Sequence, residues 1–273
     1  MKNNDIVKMM EEIFLSTEGN KVYISELDKT VTLFDLPFAG FADAADPVFD
    51  TFKKEEIIGP RYMTPKEWME EAGSVVTWVF PFSEEVRESA RKVSGGPSIE
   101  WLYGRVEGHA FMQKCMRIMA EELKKRGFLC CVPTDDERYA RYPREYEQGG
   151  KMNRHIEIVW SERHAGFAAG LGTFGLSRCL ITERGTAHRL ISCILNTGLK
   201  VTPRKYSGYM EYCTRCGACI KRCPVEAISQ EYSKNNILCG DWNNLLKERN
   251  YPRYGCSCCM TAVPCEQGIP DRE

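Results

Sequence analysis

The alternation of apolar and polar positions divides the chain into helical and extended stretches. Ile6, Met9, Met10 and Ile13 recur at helical spacing, so a packing helix is expected over residues 5–14. Thr64-Pro65-Lys66-Glu67 supplies an N-cap, a first-turn proline and a capping-box glutamate, which predicts a helix over residues 65–72. Residues 74–80, rich in valine and aromatics and closed by Pro81, have the pattern of a buried strand. A long helix follows over residues 99–126, with Gly127 as its stop. Met112, Met116, Met119 and Leu123 stack on one face of it and read as core rather than as the wall of a cofactor pocket. Residues 128–132 read as the next strand.

Further on, Ile156, Ile158 and Trp160 alternate with other residues as in a strand, and Ser161 caps a short helix that Gly170 ends. Residues 176–182 and 188–195 then read as a hairpin. Gly170, Gly172 and Gly175 match G-x-G-x-x-G in form. A dinucleotide fingerprint must follow a strand and open a helix, whereas this one closes a helix, and no acidic residue lies between Arg184 and Met210 to take a ribose. The loop either lays bare backbone against something flat or bulky, or is a tight connection into the hairpin.

The composition narrows the function classes. With 273 residues, 43% of them apolar, the chain is long enough for one large domain or two smaller ones with a real core. The net charge is −1, and from residue 206 onward eight basic residues face eight acidic ones, so no excess positive charge marks a nucleic-acid binder. Glu11 and Glu12 interrupt the N-terminal apolar pattern, which a secretory leader does not tolerate. No apolar run approaches the roughly 18 residues of a membrane span. A cytoplasmic location without a membrane is the expectation, and abundant reduced cysteine agrees with it.

The strongest chemical signal is Y-C-T-R-C-G-A-C-I-K-R-C-P, with Cys213, Cys216, Cys219 and Cys223 in the spacing C-x2-C-x2-C-x3-C before Pro224. Two-residue gaps aim successive thiolates at neighbouring corners of one iron–sulfur cube, and the fourth cysteine of such a run reaches a second cube. Structural zinc prefers two pairs of ligands, and this run has equal steps closed by a proline. Cys239, Cys256, Cys258, Cys259 and Cys265 follow, so nine of the fourteen cysteines lie from 213 onward. Crossed ligation predicts two 4Fe–4S clusters, one on Cys213, Cys216, Cys219 and Cys265, the other on Cys223, Cys239, Cys256 and Cys259. The two-residue gap from Cys256 favours Cys259 over its neighbour Cys258, a choice that spacing leaves open. Cys115, Cys130, Cys131, Cys179 and Cys193 read as small buried hydrophobes.

The order strand, S-E-R, helix, A-G-L-G-T-F-G, hairpin and double-cluster cysteine run resembles epoxyqueuosine reductase and, more distantly, the reductive dehalogenases, from about residue 38 to the end. The resemblance implies an α+β fold. A nitroreductase-like corrinoid-binding domain would cover residues 1–205 and a bacterial ferredoxin-like double-cluster domain residues 206–273. Cobalamin would lie against Gly170, Leu171, Gly172, Thr173, Phe174 and Gly175, fed with electrons by the two clusters. Arg163 matches an arginine near the reacting centre, with Glu162 beside it in the motif; a surface ion pair is the competing reading for Arg163. His164 would be a structural residue of the short helix.

Three departures bear on activity. The family's catalytic acid falls on Ile156, and Glu157 points to the opposite face of a strand. Five residues separate Cys259 from Cys265 where the family commonly has three. The chain also ends without room for a helical-repeat domain that holds tRNA, so reduction of epoxyqueuosine in tRNA is not expected. The expectation is an oxidoreductase that takes electrons from a ferredoxin or flavodoxin and reduces a small electrophilic substrate at the corrinoid. The alternative is a ferredoxin-like carrier or activator that reduces a partner redox protein without bond chemistry of its own.

Overall fold

The structure, a computed structural model, describes residues 1–271. The chain opens with α1 (Asn3–Ser16), the ribbon β1 (Lys21–Ile24) and β2 (Lys29–Thr32), and β3 (Phe38–Asp43). Short helices α2 (Val48–Thr51) and α3 (Pro65–Trp68) lead to β4 (Ser74–Pro81), α4 (Glu84–Lys92), the long α5 (Ile99–Lys125) and β5 (Cys130–Cys131). The arm β6 (Arg141–Gln148) and β7 (Lys151–Ile158) precedes α6 (Glu162–Ala168), β8 (Gly172–Phe174), β9 (Leu180–Thr182) and β10 (His188–Leu195). The cysteine-rich remainder carries α7 (Ala218–Lys221), β11 (Ile228–Ser229), β12 (Ser233–Lys234) and α8 (Asn236–Arg249).

The centre is a four-stranded antiparallel sheet in the order β3-β4-β10-β5. Every residue of β4 is buried, because both faces of the sheet are covered. Val76, Trp78 and Phe80 of β4, with Ile191, Cys193 and Leu195 of β10, face α1 and the methionine stripe of α5. Val75 and Val79, with Ile194, face Phe49, Phe52, Trp160 and the inner side of α6. Strand periodicity thus divides one run of apolar residues between two cores.

The long helix ends at Lys125 with Arg126 as C-cap and Gly127 at φ +83°, where the glycine stop was expected. The helix after Thr64 is shorter than expected. Its capping box forms, with Thr64 N–H donating to Glu67 Oε2 at 2.7 Å, but Met69 is already extended. The chain must turn there, because Gly73 N–H donates to Leu195 O at 2.7 Å to start β4, against backbone that a Cβ at Gly73 would meet at 2.6 Å. The strand expected over residues 128–132 reduces to Cys130–Cys131.

The expected hairpin of residues 176–182 and 188–195 is not formed. Leu180–Thr182 pairs with Gly172–Phe174, whereas His188–Leu195 enters the central sheet between β4 and β5. Alternation shows that both segments are extended but not which partner each takes. Tyr206, the first residue past the expected domain boundary, is buried in the second core and its hydroxyl donates to Phe167 O at 2.6 Å. Among the described residues, no helix is long and apolar enough to cross a membrane.

Candidate metal and cofactor site

The cysteine run folds as its small residues require. Gly217 at φ +76° turns the chain after Cys216 and opens the single turn of α7, which carries Cys219. Cys213, Cys216, Cys219 and Cys265 line one cavity of about 360 Å³, closed by Leu176, Ile181, Val263, Pro264 and other uncharged residues. Cys265 arrives there because its loop docks on the scaffold. Thr186 N–H donates to Cys265 O at 2.9 Å, and a Cβ on Gly185 would stand 2.0 Å from Glu266 O. The buried Glu266 carboxylate then pairs with Arg91 of α4 at 2.9 Å and accepts Ala262 N–H at 2.6 Å.

Cys223, Cys239, Cys256 and Cys259 line a second cavity of about 670 Å³. The two groups of four thus occupy two separate spaces. Ala227 N–H points at Cys223 Sγ at 3.2 Å and Asn243 Nδ2 at Cys239 Sγ at 3.5 Å. Cys258 lines the same cavity, with its thiol donating to Gly96 O at 3.7 Å. So does Cys179, beside Cys259 in the cavity wall. Cys179 is buried, as expected of a small apolar residue, and the turn before β9 places it in the wall of this cavity.

Charge distinguishes the cavities. Arg105, Arg163 and Lys234 line the second one, and among the described residues no charged side chain lines the first. Arg105 is half-buried, its Nε is shut off from water without a partner, and desolvation lowers its pKa. Gly255 at φ +116° lets the Cys256 loop pass it so closely that a Cβ would stand 2.6 Å from Arg105 Nε. Beside it, burial brings Arg189 down to about 9, and its Nη2 donates at 3.1 Å to Nδ1 of His109, which burial and the Arg189 charge hold neutral, down to about 4. Among the described residues, no carboxylate forms an ion pair with Arg105, Arg163, Arg189 or Lys234. Arg105, Arg189 and Lys234 are half-buried and Arg163 is exposed, and a thiolate-bound iron–sulfur group in this space would be an anion facing them. The donor set and the charge therefore fit such a group. Among the described residues, no three His, Cys, Asp or Glu side chains are placed around a single metal ion.

A third space is far larger. A cleft of about 2000 Å³, including its open mouth, is walled by the β6–β7 arm, α6 and the end of β8. Arg163 and Lys234 line both this cleft and the second cysteine cavity, and Gly175 lines both the cleft and the first. Ile156 faces the cleft, while Glu157 turns away to accept Arg61 N–H at 2.6 Å and lies against Gly59. Strand alternation accounts for both. Of the glycine loop, Phe174 and Gly175 reach the cleft. Gly170, Leu171, Gly172 and Thr173 face the protein instead: a Cβ on Gly170 would meet Thr202 O at 2.8 Å and one on Gly172 Ile181 O at 1.9 Å. At those positions the glycines serve strand pairing and close chain crossing.

On α6, Ser161 Oγ pairs with His164 Nδ1 at 2.8 Å rather than capping the helix. Burial and the Arg163 charge push the His164 pKa down to about 3, so the imidazole that lines the cleft is neutral. Glu162 points the other way. Ser192 Oγ donates to its Oε2 at 2.5 Å, its Oε1 has no partner, and burial pushes the carboxyl up to about 7.

The 4Fe–4S binding domain family matches residues 209–229, which contain the whole cysteine run. Comparison with curated protein sequences finds no match. Among solved structures, the chain is similar to epoxyqueuosine reductase from Streptococcus thermophilus, at TM-score 0.53 and 16% identity over 99% of this chain and 68% of that one. It is also similar to a catabolic reductive dehalogenase in complex with 3-bromo-4-hydroxybenzoic acid, at TM-score 0.53 and 15% identity over 98% of this chain and 37% of that one. A reductive dehalogenase structure described as suggesting a mechanism for B12-dependent dehalogenation matches at TM-score 0.51 and 15% identity, over 85% of this chain and 30% of that one. The chain thus spans about a third of the dehalogenases. It carries the mixed α/β fold of the epoxyqueuosine reductases and reductive dehalogenases, with a 4Fe–4S binding segment set into it.

Proposed function

We propose that this protein is an iron–sulfur oxidoreductase that holds two 4Fe–4S clusters and a corrinoid and reduces a small electrophilic substrate. The observation that carries the proposal is the sorting of the cysteines into two cavities that both abut one large cleft, Cys213, Cys216, Cys219 and Cys265 in one and Cys223, Cys239, Cys256 and Cys259, beside Cys179 and Cys258, in the other. Cys213, Cys216, Cys219 and Cys265 would hold one cluster, and Cys223, Cys239, Cys256 and Cys259 the other. The enclosed part of the cleft, about 820 Å³, lies in the upper part of the ~300–1,000 Å³ usual for small-molecule pockets, which leaves room for a large cofactor. In this reading the α/β sandwich is a nitroreductase-like corrinoid domain, and a ferredoxin or flavodoxin supplies electrons from outside.

A bound corrinoid would supply a cobalt centre that can attack an electrophile or pass electrons to it. The chain's own residues shape the space around it. Phe174, Tyr209 and Ile158 offer apolar wall, and Ile156 excludes water where the related reductases carry an acid. Arg163, with no carboxylate partner, is aimed at the cleft to stabilise negative charge that develops on a bound substrate. Neutral His164 keeps its place through Ser161 and adds no charge. The apolar Ile156 also favours a second reading, a carrier that passes electrons to a partner protein and breaks no bond itself.

Iron, sulfide and cobalt are to be counted on protein purified without oxygen from cells supplied with cobalamin, alongside its electron paramagnetic resonance spectrum. About eight irons per chain and a Co(II) signal are expected. Eight irons without cobalt uptake would select the carrier.

A further inference from the structure

The two cysteine cavities differ in the charge that surrounds them, and charge sets cluster potential. Reduction adds one electron to an already anionic group, so nearby cations and N–H donors to the sulfurs make reduction easier, while an apolar wall makes it harder. Arg105, Arg163 and Lys234 line the cavity of Cys223, Cys239, Cys256 and Cys259. Ala227 N–H and the Asn243 amide add donors to two of its sulfurs. Among the described residues, the other cavity has no charged side chain in its wall. Cys216 is exposed there, and water near a thiolate also eases reduction, but it opposes the half-buried Arg105 and Lys234, with the exposed Arg163 adding a screened charge.

We infer that Arg105 and Lys234 are tuning residues that make the cluster site of Cys223, Cys239, Cys256 and Cys259 the more easily reduced of the two. The inference rests on the two-cluster reading above. Its consequence is directional. The site with an exposed cysteine has the lower potential and faces the outside, and the site with the higher potential shares Arg163 and Lys234 with the cleft. An electron from a low-potential one-electron carrier then finds its lower free energy beside the cleft, with no proton or bond change required.

Arg105 reaches the Tyr254 ring, 5.7 Å from its guanidinium carbon, besides lining this cavity. Arg105 lies on α5, far in sequence from every cluster cysteine, and its Nε has no hydrogen-bond partner. A guanidinium buried for packing alone would be replaced at no cost by a neutral side chain of similar length.

The test is a redox titration followed by electron paramagnetic resonance on the full chain and on Arg105→Gln, Arg105→Lys and Lys234→Met, with iron counted in each. Two separable one-electron transitions are expected in the unsubstituted protein. Arg105→Gln should lower the reduced-to-oxidised ratio of the more positive transition about tenfold at fixed potential, equivalent to about 59 mV, and leave the other in place. Arg105→Lys should restore most of the shift. Lys234→Met should reproduce it independently, which keeps the inference testable if Arg105→Gln fails to fold. Transitions that do not move, or that move together, would overturn the inference while the iron count upholds the two clusters. A count near four irons or none in the unsubstituted protein would overturn the two-cluster reading and this inference with it.

Discussion

The sheet scaffold and the cysteine-rich segment are held together by different means. In the scaffold, Trp78, Trp101, Trp160, Phe34, Phe80 and Phe82 are essentially inaccessible to water, and β4 is buried along its whole length. Burial on that scale stabilises by about 1.5–3 kcal/mol for each large apolar side chain. From Ser207 onward, the buried apolar residues are Ala227, Ile228, Leu246, Cys258 and Val263. Among the described residues there, the one element longer than four residues is α8, which buries only Leu246. One region is folded by its own apolar pattern, and the other is folded around what its cysteines bind. Metal binding in such a segment is part of its folding free energy.

Removal of the metal should give the largest effect. Anaerobic chelation is expected to leave the central sheet protected in hydrogen exchange while amides of residues 213–265 lose protection; uniform protection after complete iron loss would erase the contrast. Trp78→Ala should act on the opposite side. A cavity under the full central sheet is expected to cost about 3–5 kcal/mol, read as a lower denaturation midpoint with both regions lost together.

A smaller effect separates the two cores. Glu162 holds its proton up to about pH 7 in the folded chain but releases it near 4.5 when unfolded. The folded state therefore binds more protons across that window, and stability from this group is present below pH 4.5 and lost as pH rises to 7. The loss is on the order of 3 kcal/mol, from about 1.4 kcal/mol per unit. His109, His164 and His188, all lowered, act in the opposite sense, losing stability as pH falls from 6.5 toward 4. Glu162→Gln should therefore be more stable than the unsubstituted protein at pH 8 and no more stable at pH 4.5, measured by paired denaturant titrations.

Much of this was legible in the sequence where one period or one spacing decides. The methionine stripe of α5, the all-buried β4 and the division of eight cysteines into two groups follow from local rules. The pairing of 180–182 with 172–174 did not, because alternation is blind to partners. That Cys179 lines the second cysteine cavity was invisible for a related reason, since only the chain crossing at β9 places it there. The buried cations did leave a signal. Arg105 lies four residues after Trp101 and three before Gly108 on the inward stripe of α5, and Arg189 shares the inward parity of Ile191, Cys193 and Leu195 on β10. A charge on a core face marks a site that burial alone does not explain.

The central claim is that two separate cysteine sets hold two clusters, and iron counts on single cysteine variants test it most directly. Cys219→Ser and Cys239→Ser should each lose one cluster's magnetic signal and retain about four irons per chain, with different signals lost in the two. Loss of the same signal in both variants, or retention of the full iron complement in either, would contradict the account.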